Sequence, residues 1–350
     1  MIPELAAWQW AVAFMAGAAV LVRAGVALAA AGDELAERTG LGRVFVGTLF
    51  LAAATSLPEV LTDISAAVAG SPDLAVGDLF GSSMANMAIL AVIDLSYRGR
   101  VWPSVEVGHA RVAAVAIGLT ALAILGILTP PGWSLGWVGL DTVGVAAAYA
   151  AAVAWFRRSA RIEAPVPEAP DPAVPSDGLL VPTGWSEPEG RATGGVASTV
   201  GRFAVAALGI LVAAPVVAVA ARELARGAGI AETTVGAGLL AVTTSLPELV
   251  ASLAAVRIGA HDLAVGNLFG SNAANMSVLL FADVAYTNGP ILAAVSPSQI
   301  VVASSAILLM ALALAAIVGG TETRIGRVEP DAVVLLVAYV GALVAVGVTA

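Results

Sequence analysis

The sequence predicts an all-α polytopic membrane protein, with ten transmembrane helices arranged as two inverted five-helix repeats and broken helices at a central site. Three observations carry this expectation. The 350 residues are 59% hydrophobic with mean hydropathy +0.94, and only 12% are charged. A water-soluble domain of this length has no use for so much apolar surface. The apolar residues fall into ten runs of about membrane-spanning length. Finally, one polar, helix-breaking stretch occurs twice. Thr55-Ser56-Leu57-Pro58-Glu59, continuing to Gly81-Ser82-Ser83-Met84-Ala85-Asn86-Met87, recurs as Thr244-Ser245-Leu246-Pro247-Glu248, continuing to Gly270-Ser271-Asn272-Ala273-Ala274-Asn275-Met276. Glu59 and Glu248 are 189 positions apart, and Gly47 with Gly236, Ser82 with Ser271, Asn86 with Asn275 and Asp94 with Asp283 share that spacing without a gap.

The first five spans are predicted at about 8–31, 44–69, 73–95, 110–128 and 136–156. The second five are predicted at about 199–221, 233–257, 262–285, 297–318 and 331–349. Each is near the roughly 20 residues that a bilayer demands. The first reads as a span and not as a cleaved leader, because no basic stretch precedes it and further spans follow. The loops after spans one, three and five hold Arg38, Arg43, Arg98, Arg100, Arg157, Arg158, Arg161 and Arg191, whereas those after two and four hold no arginine. The arginine-bearing loops are therefore expected in the cytoplasm, with both termini outside. Arg257, Arg324 and Arg327 follow the same rule, and Arg222 and Arg226 are its exceptions.

The chain divides into residues 1–158 as the first repeat, 159–198 as a linker and 199–350 as the second repeat. The linker is rich in proline and carries Glu163, Glu168, Asp171, Asp177, Glu187 and Glu189. Such a composition cannot bury an apolar face and predicts a disordered or extended cytosolic segment. It has no aspartates at the spacing of a calcium-binding loop. Five spans per half give the second copy the opposite membrane polarity, which makes the pair an inverted repeat and brings Glu59 and Glu248 to one point.

Composition narrows the chemistry. There is no cysteine, so disulfides and thiolate metal sites are excluded. All 16 basic residues are arginine, and the Ala, Val, Gly and Arg bias suggests a GC-rich genome and a bacterial inner membrane. His109 and His261 read as interfacial polar residues at span ends, without the spaced partner of a metal site. The expected surroundings are the lipid bilayer, with no nucleic-acid partner.

Within each copy, Pro58 and Pro247 cannot donate to the helical ladder and each pushes on the preceding turn. The carbonyls set free are expected at Ala54 and Thr55, and at Thr243 and Thr244. At mid-membrane depth they are tolerable only where they face protein, water or an ion. A carboxylate just after the proline and hydroxyls just before it gather oxygen ligands around the break. Ser82 and Asn86, and likewise Ser271 and Asn275, are four apart on one helical face and supply an opposing wall. Gly81 and Gly270 permit close approach of that helix to its neighbour. Asp73 and Asp262 read as N-caps. Six to eight oxygens bearing a charge of about −2 suit Ca²⁺. An intramembrane enzyme would need a base near the serines, and no histidine or lysine lies by either motif. A cation channel or a non-transporting cation sensor remains the alternative reading.

The paired TSLPE and GS-x-x-x-N elements resemble the α1 and α2 repeats of the Ca²⁺:cation antiporter superfamily, which includes Na⁺/Ca²⁺ and H⁺/Ca²⁺ exchangers. The resemblance covers about 32–95 and 221–284 strongly. It implies a ten-span fold in which eight inner helices hold the site and the first and sixth slide as a gating pair. It implies metal ligands at Thr55, Ser56, Glu59, Ser82, Asn86, Thr244, Ser245, Glu248, Ser271 and Asn275. It implies antiport of Ca²⁺ against H⁺ or Na⁺ by alternating access, with no cofactor. Asn86 and Asn275 resemble the proton-coupled members, since sodium-coupled ones often have an aspartate at one of these positions. Asp78 departs from the usual asparagine, which Asn267 retains, and Asp63 departs from its counterpart Ser252. Asp78 and Asp63 are therefore candidates for a proton or sodium site.

Overall fold

The structure, a computed structural model, describes residues 6–96, 108–129, 133–162, 195–227, 244–319 and 330–349. Nearly the whole of the proposed linker and the first part of the seventh expected span lie outside the described residues. The first half contains α1 (Ala7–Thr39), α2 (Arg43–Phe45), a π-helical segment (Val46–Leu51), α3 (Ala52–Thr55), α4 (Leu57–Val68), α5 (Pro72–Ser96), α6 (Gly108–Leu128) and α7 (Leu140–Ile162). A two-stranded hairpin, β1 (Ser134–Leu135) and β2 (Val138–Gly139), precedes α7. The second half contains α8 (Val196–Gly227), α9 (Leu246–Arg257), α10 (His261–Ala285), α11 (Ile291–Ala294), α12 (Ser298–Gly319) and α13 (Pro330–Thr349).

Seven helices among the described residues are long and apolar enough to cross a membrane: α1, α5, α6, α8, α10, α12 and α13. The run from Arg43 to Thr55 and the helix α4 form an eighth as a bent pair, with an angle of 47° between them. The fifth expected span is helical but starts later than its apolar run suggested, because residues 134–139 fold into the hairpin. Its helix α7 carries Asp141 near its start and Arg157 and Arg158 near its end, and is not among the seven.

The sequence repeat is also a repeat of element boundaries. α4 and α9 are displaced by 189 residues at both ends, as are α5 and α10. The turns between them match as well. Gly70 and Gly259 both take φ +76°, a left-handed conformation that a residue with a Cβ adopts at a cost. Ser71 N donates to Ala66 O at 2.9 Å and Gly70 N to Ala67 O at 3.0 Å, while Ala260 N and Gly259 N donate to Ala255 O and Val256 O at 2.9 and 3.1 Å. Both are Schellman closures that satisfy the last carbonyls of a short helix before a long one begins.

Packing exchanges the two halves. α5 rests on α12 and α13 of the second half, and α10 rests on α6 and α7 of the first. α5 and α10 also pack on each other, and α1 lies along α8. Bulky apolar side chains such as Trp8, Met15, Leu125, Val205, Leu308 and Val337 are exposed on the outer helices, while Glu59, Asp63, Asn86, Glu248, Asn267 and Asn275 are buried. That distribution is the reverse of a soluble domain and is expected where hydrocarbon is the solvent.

Two expectations about the helix starts are corrected. Asp73 and Asp262 do not cap their own helices. Each sits one position inside its helix, so its carboxylate reaches the end of a different one. Asp262 Oδ1 lies 2.9 Å from His109 Nε2 at the start of α6. Asp73 Oδ1 accepts from Ser296 N at 2.7 Å and from Gln299 Nε2 at 3.4 Å at the start of α12. His109 is accordingly 0% exposed and paired, where an interfacial residue was expected. His109→Ala should strip Asp262 of this partner, and an unsatisfied buried group costs about 1–3 kcal/mol. The expected result is a lower melting temperature of the detergent-solubilised protein; an unchanged one counts against a structural role for the pair.

Candidate functional site

The site is built where the two bent segments meet the two long polar-faced helices. Around Pro58 the chain reaches Ser56 at φ −83° and ψ 0°, leaves the α3 ladder, and restarts as α4 with Val60 N donating to Ser56 O at 3.1 Å. Pro58 stands in the first turn of α4, where its missing N–H has no intrahelical partner to lose. The second copy repeats this geometry, with Ser245 at φ −86° and ψ 6° and Leu249 N donating to Ser245 O at 3.1 Å. Both breaks turn a glutamate into the first turn of the following helix, Glu59 in α4 and Glu248 in α9. Each helix N-terminus there favours a negative charge.

All ten expected ligand residues are buried: Glu248, Thr55, Ser82, Asn86, Ser271 and Asn275 at 0% exposure, Glu59 and Ser245 at 1%, Ser56 at 3% and Thr244 at 4%. One network crosses the interface between halves, with Glu248 Oε2 and Asn86 Oδ1 left without a partner among the described residues. Ser56 Oγ donates to Glu248 Oε1 at 3.2 Å and pairs with Ser271 Oγ at 2.7 Å. Asn86 Nδ2 donates to Ser271 Oγ at 3.3 Å and to Asn272 Oδ1 at 2.9 Å. Thr55 Oγ1 donates to Asn267 Oδ1 at 3.1 Å.

The symmetry-related set behaves differently. The counterparts of Ser56, Glu248, Ser271 and Asn86 are Ser245, Glu59, Ser82 and Asn275. Among the described residues, both carboxylate oxygens of Glu59, the hydroxyls of Ser82 and Ser245, and both amide atoms of Asn275 have no hydrogen-bond partner. Buried polar atoms are rarely left so, since each costs about 1–3 kcal/mol. Four side chains from the doubled motif are orphaned at once, one of them a carboxylate, and their oxygens are of the kind that a hard cation takes. Among the described residues, no ion pair involves Glu59 or Glu248.

Close helix approach holds these residues in register. A Cβ on Gly270 would lie 2.3 Å from Thr48 O, and one on Gly47 would lie 2.6 Å from Leu263 O. α10 therefore presses directly on the π-helical segment, whose widened turn precedes the break. The π turn had no signature in the sequence reading. Asn272 was also missed. It accepts from Asn86 and donates from Nδ2 to Ser83 O at 3.3 Å. The signal available was an amide beside Ser271 in an otherwise apolar helix, at the position repeated from Ser83.

Comparison with known proteins identifies the family. The family model described as sodium/calcium exchanger protein matches residues 9–156 and 198–348. The putative antiporter CaxA of Alkalimonas amylolytica is 29% identical over 313 residues, covering 88% of this chain and 89% of its own. The inner membrane protein YrbG of Escherichia coli (strain K12) is 28% identical over 263 residues, 75% of each chain. A structure of the sodium-calcium exchanger NCX_Mj, soaked with 10 mM Na⁺ and zero Ca²⁺, superposes with TM-score 0.71 at 20% identity, covering 97% of this chain and 99% of that one. At that identity the likeness speaks for the fold. With both halves matched by the family model, the chain belongs to the sodium/calcium exchanger family of multi-pass membrane proteins.

Proposed function

We propose that this protein is a secondary antiporter exchanging Ca²⁺ for a monovalent cation, H⁺ or Na⁺, at a single central site. The observation that carries the reading is the set of buried, unpartnered oxygens on the doubled motif: those of Glu59, Ser82, Ser245 and Asn275, with Glu248 Oε2 and Asn86 Oδ1. Ca²⁺ would take oxygens from Glu59 and Glu248 and from the hydroxyls and amides of Thr55, Ser56, Ser82, Asn86, Thr244, Ser245, Ser271 and Asn275. A mixed set of carboxylate and neutral oxygens suits its flexible coordination. Once Ca²⁺ leaves, two nearby carboxylates in a low dielectric favour neutralisation by monovalent cations. The charged, empty site is then a poor state in which to change conformation, and obligatory exchange follows.

The architecture fits this reading as two five-span repeats, residues 1–158 and 199–350, joined by the linker 159–198. The constant 189-residue displacement of α4, α5, α9 and α10, and the exchange of packing partners between halves, support a two-fold relation. With an odd number of spans in each half, that axis lies in the membrane plane and the repeats are inverted. α1 and α8 pack along each other outside this core and supply the gating pair. The protein resides in the cytoplasmic membrane of a bacterium, with both termini outside.

Uptake of ⁴⁵Ca²⁺ by proteoliposomes tests the reading. An outward Na⁺ gradient or an outward H⁺ gradient, imposed separately, should drive accumulation, and the gradient that does so identifies the counter-ion. Ca²⁺ current that needs no counter-ion would mark a channel instead and overturn the antiporter reading.

A further inference from the structure

The two aspartates that break the repeat form a feature of their own. In the second half the equivalent residues are Ser252 and Asn267, and Asn267 Nδ2 donates to Ser252 Oγ at 3.0 Å. That amide hydrogen, with the bond from Ser252 Oγ to Ala264 O at 3.4 Å, ties α9 to α10. In the first half the same positions hold Asp63 on α4 and Asp78 on α5, two helices that pack on each other. Asp63 is 0% exposed and Asp78 7%. Among the described residues, neither oxygen of Asp63 nor Oδ2 of Asp78 has a hydrogen-bond partner.

Among the described residues, no ion pair involves Asp63 or Asp78. Glu59, one turn before Asp63 on α4, is a further buried acid, as is Glu248 on α9. The α10 side chains that bond to this part of the chain, Asn267 to Thr55 and Ser271 to Ser56, are neutral. Two ionised carboxylates side by side away from water repel strongly, and one of such a pair keeps its proton. A protonated carboxyl has an O–H to donate, whereas two carboxylates have only acceptors. One proton therefore does for Asp63 and Asp78 what the amide hydrogen does for Ser252 and Asn267.

We propose that Asp63 and Asp78 form a single proton-binding site, with one proton shared between the two carboxyl groups, and that this proton is released when a divalent cation binds between Glu59 and Glu248. The first part stands on the pair itself. The second rests on the reading of the central site as a cation site. A cation at the centre stabilises both aspartates as carboxylates and expels the proton to water; its departure draws a proton back. The proton site is thus distinct from the cation cage and present in one repeat only, so the two halves of the cycle need not be equivalent.

Infrared difference spectroscopy of the full chain in liposomes, with two variants, tests this. Asp63→Ser with Asp78→Asn gives the first repeat the serine–asparagine pair of the second, so the tie between helices is retained. Asp78→Asn alone places a permanent amide hydrogen opposite Asp63. Without divalent cations and near neutral pH, wild type minus either variant should show one protonated-carboxyl C=O band, shifting when D₂O replaces H₂O. A difference containing only carboxylate bands overturns the shared proton. Adding Ca²⁺ should erase that band from wild type, and a pH dye should record one more proton released per bound Ca²⁺ than in the double variant. A band that persists with Ca²⁺ bound overturns the coupling. If calorimetry finds no Ca²⁺ binding by wild type, the cation reading of the centre fails, and the first spectrum still decides the proton pair.

Discussion

Glu59→Gln is expected to abolish Ca²⁺ uptake while leaving the protein folded. The glutamine keeps the shape of the side chain and removes one of the two central charges. Loss of one charge-assisted contact costs about 1.5–3 kcal/mol, or roughly ten- to a hundredfold in Ca²⁺ affinity. Glu59 accepts no hydrogen bond from the described residues, so the substitution breaks none there. In the absence of Ca²⁺ the variant should therefore melt at or above the wild-type temperature. The rise in melting temperature that Ca²⁺ gives the wild type, by binding the folded state, should vanish. Glu248→Gln should also stop uptake, but it alters the acceptor of Ser56 and should melt lower without Ca²⁺. Undiminished flux in Glu59→Gln would falsify the central role of the carboxylates.

Gly270→Val should have the second large effect, through packing. The new Cβ would stand 2.3 Å from Thr48 O and 2.6 Å from Thr48 Cα. Both are backbone atoms, which cannot rotate aside as a side chain can. Overpacking of this kind costs about 1–3 kcal/mol, and more where the backbone must move. The displacement falls between Asn267 and Ser271, two residues that bond across the interface. Low yield of folded protein is expected, and loss of uptake in whatever folds. Gly270→Ala should show the same defect in milder form. Gly118→Ala is the control: nothing lies within 4 Å of its added Cβ, and helix propensity alone predicts a gain of about 0.5–1 kcal/mol. Equal melting temperatures for Gly270→Val and Gly118→Ala would contradict the close contact.

Most of the candidate site was legible because its residues are conspicuous in an apolar chain. A proline and a glutamate inside a hydrophobic run stand out, and their recurrence at one spacing removes coincidence. The less legible features depend on partners far away in sequence. Asp262 reads as a cap until His109 is seen beside it, 153 positions earlier. Asn272 reads as one more polar residue until Asn86 and Ser83 are found opposite. The π turn at Val46–Leu51 widens a helix whose local sequence is ordinary, and it occurs where Gly266 and Gly270 bring α10 against it.

The sequence by itself determined the membrane character and the doubled motif. These follow from composition and spacing, which are local or periodic properties of a chain. Only the tertiary structure decided which polar atoms find partners. The two motifs are nearly identical, yet Ser56, Glu248, Ser271 and Asn86 bond to one another or to close neighbours while Ser245, Glu59, Ser82 and Asn275 are left open. Hydrogen bonds depend on distances of a few tenths of an ångström between separate helices, and no motif carries that information. The same holds for Asp63 and Asp78. The sequence marked them as departures from symmetry, but only packing of α4 on α5 made them a pair.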